Sequence, residues 1–117
     1  MPNSRWADIF THLSDKGFNV YSPGQHKGEC LKPYVVIKNA GGNQFGGFSS
    51  TQQLYELLLY VPHDHYSSLE PFVGEVKEAM KELEPMIKPT HYETPSFLDD
   101  TVKGHMVSIQ YVNYKKL

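Results

Sequence analysis

Hydrophobic positions recur along this chain with two different periods, and each change of period marks an element. Trp6, Ile9, Phe10 and Leu13 fall at i, i+3, i+4 and i+7, which predicts an amphipathic helix at the start. Asn3 or Ser4 is placed to cap it, and Gly17 sits where a left-handed residue ends a helix. Residues 18–21 read as a short strand stopped by Ser22-Pro23-Gly24, and residues 24–32 are polar and punctuated by glycine, hence loop. The β-favouring run 34–38 reads as a central strand. Residues 39–48 contain Gly41, Gly42, Gly46 and Gly47 and predict a mobile hairpin loop. The β-rich stretch 49–61 is long, reaching about 40 Å at roughly 3.3 Å per residue, about twice an ordinary strand. A small sheet is not expected to pair that length alone, so the strand should bend or project one end toward another subunit.

The second half repeats the logic. Ser67-Ser68-Leu69-Glu70 has the spacing of a capping box, with Pro71 in the first turn of the helix it opens. Leu69, Phe72, Val73, Val76, Met80 and Leu83 form one apolar face; Glu75, Lys77, Glu78, Lys81 and Glu82 form the other, and Pro85 stops the helix. Residues 87–93, flanked and interrupted by prolines, predict a peripheral strand. Asp99-Asp100 and Gly104 supply a turn into a last strand, 105–114, which alternates. His105, Val107, Ile109 and Tyr111 share one face, and Met106, Ser108, Gln110 and Val112 the other. The order helix, three strands, helix, two strands predicts an α+β fold, a mainly antiparallel sheet with two helices packed on one face. Residues 1–117 are enough for one domain and one core, burying roughly 65% of the unfolded chain's surface.

Composition narrows the function classes. Aromatic residues reach 13%, with eight Tyr, six Phe and one Trp, a chemistry that suits half-buried strands and protein interfaces alike. A net charge of −2 draws the chain neither to nucleic acid nor to an anionic membrane. The single Cys30 excludes an intrachain disulfide and fits a reducing compartment. No signal-peptide pattern opens the chain, and the longest apolar run, at 57–61, is far shorter than a membrane span; the expectation is a soluble, intracellular product.

Candidate chemistry is thin. His63-Asp64-His65 places two imidazoles at i, i+2, but zinc needs further donors, for which only His91, His26 or Cys30 offer themselves, so the tripeptide reads as an exposed polar turn and no metal is expected. Gly41 and Gly46 have the outer spacing of a phosphate loop, yet Gly47 and Phe48 stand where it needs lysine and a hydroxyl. Cys30 and His26 are joined by flexible loop rather than held as nucleophile and base, and Glu75, Glu78 and Glu82 line a solvated helix face. Tyr111 and Tyr114 lie on opposite faces by parity and make no stacking platform, so no sequence-specific nucleic-acid binding is expected. Neither a catalytic site nor a cofactor is expected.

The block Tyr21-Ser22-Pro23-Gly24-Gln25-His26-Lys27-Gly28-Glu29-Cys30, the strand Pro33-Tyr34-Val35-Val36-Ile37-Lys38, Tyr60-Val61-Pro62 and the helix around Val73-Gly74-Glu75-Val76 resemble the tail terminator (tail completion) proteins of tailed bacteriophages and phage-tail-like particles, over nearly the whole chain. The resemblance implies a homo-oligomeric ring, usually a hexamer, in the virion tail. Seated on the head-proximal end of the tail tube, the ring stops addition of the tail tube protein and meets the neck or head–tail connector protein. Another connector or neck component is the alternative, and a small metal- or ligand-binding module a more remote one. Such a ring needs two unlike patches per subunit. The candidate interface residues are Gln25, His26, Lys27, Gly28 and Glu29 in the first loop, Gln44 and Phe45 in the glycine segment, and Gln52, Gln53 and Tyr55 in the long strand.

Overall fold

A computed structural model describes residues 5–26, 28–45 and 50–116. Helix α1 spans Trp6–Asp15 and buries Ile9 and Leu13 completely, with Trp6 and Phe10 packed beside them. Gly17, at φ +95°, closes the helix: its N–H donates to the Ser14 carbonyl and the Phe18 N–H to the Leu13 carbonyl, the paired bonds of a Schellman end. Asn3 and Ser4, the expected caps, lie outside the described residues. The helix is entered from Arg5, whose N–H donates to the Tyr55 hydroxyl at 2.7 Å.

The sheet follows the order β1-β2-β3-β6-β4, with β5 beside β6. Strand β1 is Val20–Tyr21, β2 Tyr34–Phe45, β3 Ser50–Pro62, β4 Lys88–Glu93, β5 Phe97–Asp99 and β6 Gly104–Lys116. All neighbours pair antiparallel except β1 with β2. The expected α+β architecture is present, a mixed and mostly antiparallel sheet with the helices on one face. Two expectations change. Residues 39–45 are strand, not hairpin loop, because Gly41 at φ +98° absorbs a bulge after Asn39 and lets β2 stay in register with β3 to Phe45↔Ser50. The long strand is also paired along its whole length by β6, and by β2 from Ser50 to Tyr60.

Helix α2, Leu69–Met80, buries Leu69, Phe72, Val73, Val76 and Met80 as its pattern predicts, and Ala79 besides; Leu83, expected on the same face, lies half-buried in a 3-10 turn beyond the helix. The capping box does not form. The chain already turns as a 3-10 helix over Tyr66–Ser68, and the Ser68 hydroxyl donates back to the His65 carbonyl. Both helices cover the sheet face carrying Val35, Ile37, Tyr55, Leu57, Leu59, Val61, Val107, Ile109 and Tyr111, which with them makes one core. The helices are clasped to each other where the His12 Nε2–H donates to the Ala79 carbonyl at 2.8 Å and Lys16 pairs with Glu82 at 2.7 Å. The molecule is elongated, 48 × 25 × 24 Å.

Candidate assembly surfaces

Three surfaces lie outside the core. The first is the loop between β1 and β2, residues 22–33. It does not stand out into solvent as its composition suggests; it crosses the sheet face opposite the helices. His26 stacks on Tyr34 with ring centres 4.0 Å apart, and Tyr34 stacks on Tyr60 at 4.7 Å, while Tyr21 meets both His26 and Tyr34 edge-on. The far end is tied down where the Cys30 N–H donates to the Val102 carbonyl at 2.6 Å and Lys103 pairs with Glu29 at 3.4 Å. Burial pushes the Cys30 thiol up to about 11, and it raises Tyr34 and Tyr60, to which Asp99 and Cys30 add in the same direction. The remaining loop positions face outward: Gln25 is exposed and its side chain accepts from Ser22, Gly28 turns the chain at φ +84°, and Glu29 is exposed. Lys27 lies outside the described residues.

The second surface is the flank formed by α2 and residues 84–98. Among the described residues the large exposed apolar side chains are Leu31 and, within residues 66–98, Tyr66, Met86, Tyr92, Phe97 and Leu98, the last two on opposite faces of β5. Between α2 and residues 93–96 runs a groove of about 530 Å³, floored by Leu69, Val73 and Val107. It is spanned by Lys77–Glu93 at 2.6 Å and by Tyr66–Ser96 at 3.2 Å. Gly74 opens on it with nothing within 4 Å of where a Cβ would stand. A helix-interior glycine costs about 1 kcal/mol relative to alanine, so Gly74→Ala should raise stability by about that amount. A denaturant titration checks this, and a loss of stability would mean that the groove is less open than drawn.

The third surface is an arm. Lys88↔Val112 is the outermost pairing that any other element makes with the three long strands. Beyond it, residues 42–45, 50–53 and 113–116 are paired only with one another among the described residues. That leaves about 13 Å of three-stranded ribbon at roughly 3.3 Å per residue. Gln44, Phe45 and Gln52 are strand residues of this arm. Gln53 serves its own chain, its amide donating to the Asn39 side chain at 2.8 Å and to the Gly41 carbonyl at 3.2 Å, which fixes the bulge. Tyr55 corrects the expectation for it: it is fully buried under α1 and lends its hydroxyl to Arg5, so it belongs to the core and not to an interface. Sequence reasoning passed over Tyr66, Phe97 and Leu98, although two adjacent large apolar residues in a three-residue strand were a readable signal.

Chemically the described residues gather little. No group of three or more His, Cys, Asp and Glu among them is placed to hold a metal ion, and His63 and His65 are exposed. On the open sheet face the Ser108 hydroxyl donates to Glu56, and Thr90 donates to Gln110 at 3.0 Å, a polar row that satisfies itself. No helix among the described residues is long and apolar enough to cross a membrane. No protein-family profile matches the chain, and no curated protein does.

Proposed function

We propose that this chain is a structural subunit of a ring at the head-proximal end of a phage tail or phage-tail-like particle, ending tube growth and offering the neck its seat. The observation that carries the reading is the arm. Residues 42–45, 50–53 and 113–116 pair with no element but one another among the described residues, and bare strand edges of that kind suit joining to another chain. The segregation of the other surfaces supports it: a strap on one sheet face and an apolar flank on one side give a subunit unlike patches to present to unlike neighbours. The resemblance of residues 21–30, 33–38, 60–62 and 73–76 to tail terminators supplies the choice of assembly.

Tails assembled with and without the chain test this. Tubes made without it should run to irregular lengths, and tubes made with it should share one length. Alanine at Gln25, Lys27 and Glu29, which point away from the sheet or lie in the same loop, should lower particle yield. Uniform tube length in the absence of the chain would end the reading.

A further inference from the structure

We infer that copies of this chain join through their arms, the outer edge of β6 in one copy pairing in parallel with the outer edge of β2 in the next. The inference rests on the ring reading and specifies its contact.

Next to the arm, the edges of β2 and β6 are guarded among the described residues. On the β1 side, β1 covers Val35 and Val36, and the Trp6 indole N–H occupies the Ile37 carbonyl at 2.7 Å. On the other side β4 carries Pro89, a bulge and His91 at φ +69°, features that keep a further strand from adding. Past these guards, residues 39–45 of β2 and 113–116 of β6 have no strand beside them on their outer sides among the described residues.

The backbone groups that would pair can be named. The Val35 N–H points outward, to the Asn19 carbonyl, so odd positions of β2 face out until the bulge shifts the alternation and turns Gly42 and Gln44 outward. On β6 the Ser108 carbonyl accepts from Thr94 on the outer side, so even positions face out, which gives Tyr114 and Lys116. Direction follows from topology. Both β2 and β6 run antiparallel to the β3 between them and therefore run the same way. In a ring generated by rotation all copies share one orientation, so β6 meets the neighbour's β2 in parallel. A two-fold dimer through β2 with β2, or β6 with β6, would leave one bare edge on every copy. Under rotation alone, the unlike pairing uses both edges of every copy and removes them on closure.

Cysteine pairs test this in the full chain, and Cys30 is a quiet background because it is buried. Gln44→Cys is oxidised alone, each of Tyr114→Cys, Lys115→Cys and Lys116→Cys is oxidised alone, and then Gln44→Cys is mixed with each. Cross-linked dimers are expected only in a mixture, and the double variants should give ladders ending in a closed ring. Self-linking of any single variant would show a two-fold contact and overturn the inference. A ring-sized native mass with no cross-link in any mixture would also overturn it while leaving the ring reading intact. A chain that stays monomeric up to its solubility limit and gives no cross-link overturns both. Gln44→Pro, which removes one outward N–H, should leave the circular dichroism spectrum unchanged and abolish the ring; a ring that survives it counts against the edge.

Discussion

Stability is expected to hold level up to about pH 9, where a free cysteine begins to ionise, and to fall steeply from there to about pH 12. The cause lies in four groups that are neutral when protonated and held away from water: Cys30, Tyr34, Tyr60 and Tyr111. Burial disfavours the charged form of each, so each holds its proton more tightly in the folded chain. Cys30 moves from 9.0 to about 11, and Tyr111, also repelled by Glu84 and Glu93, moves from 10.0 to about 12; Tyr34 and Tyr60 shift upward as well. The sign follows directly. A raised folded-state pKa contributes stability that is fully present below the unfolded value and lost as pH rises through the folded one. The combined loss is on the order of a few kcal/mol, a large part of the roughly 5–15 kcal/mol that holds a domain folded. Denaturant midpoints taken stepwise upward from neutral pH, together with tyrosinate absorbance, measure it. Tyr111→Phe removes one of the four groups and should make the loss between about pH 10 and pH 12 shallower, leaving the onset set by Cys30 in place. Midpoints that stay flat through the alkaline range, or tyrosinate appearing throughout at the value of the free side chain, would show that these rings are wet.

The same four groups show what a single sequence conveys and what it withholds. Elements whose apolar residues face one way were legible: α2 has a single buried stripe, and β6 alternates, so period alone located both. Tyr55 shares the parity of Leu57, Leu59 and Val61 and is buried with them, yet its polar tip led the sequence reading to place it at an interface. Pairing was not legible, because it is a property of two segments. Glycines at 41 and 42 read as loop until β3 is seen to offer a partner of equal length, after which one glycine at positive φ is a bulge inside a strand. The strap was hidden for a similar reason. His26 and Cys30 sit in a polar, glycine-punctuated stretch, and only the fold brings Tyr34, Tyr60 and Gly104 beneath them. Candidate interface positions chosen from polarity therefore mixed residues already engaged within the chain with residues free to meet a partner.

Gly104→Ala should cost about 2–3 kcal/mol, although alanine is ordinarily the more stabilising residue where the backbone is not left-handed. A Cβ at position 104 would stand 2.9 Å from the Cys30 Cβ, 3.0 Å from the Val61 carbonyl oxygen and 3.2 Å from the Cys30 Sγ. The carbonyl belongs to a paired strand and cannot move, since Val61 is in register with His105 across the β3–β6 ladder. The strap is the part that can give, because its hold there rests on the Cys30–Val102 hydrogen bond and the exposed Lys103–Glu29 pair. The substitution should therefore detach the strap as well as lower the denaturation midpoint, and the Cys30 amide should lose its protection from hydrogen exchange. A double-mutant series separates the contacts. Cys30→Ala keeps the Cβ and should rescue little, whereas Cys30→Gly removes both cysteine contacts and should recover a larger share, leaving only the carbonyl. Equal costs for Gly104→Ala in all three backgrounds would mean that position 104 does not touch the strap, and the account of residues 22–33 as a segment bound across the sheet would fall with it.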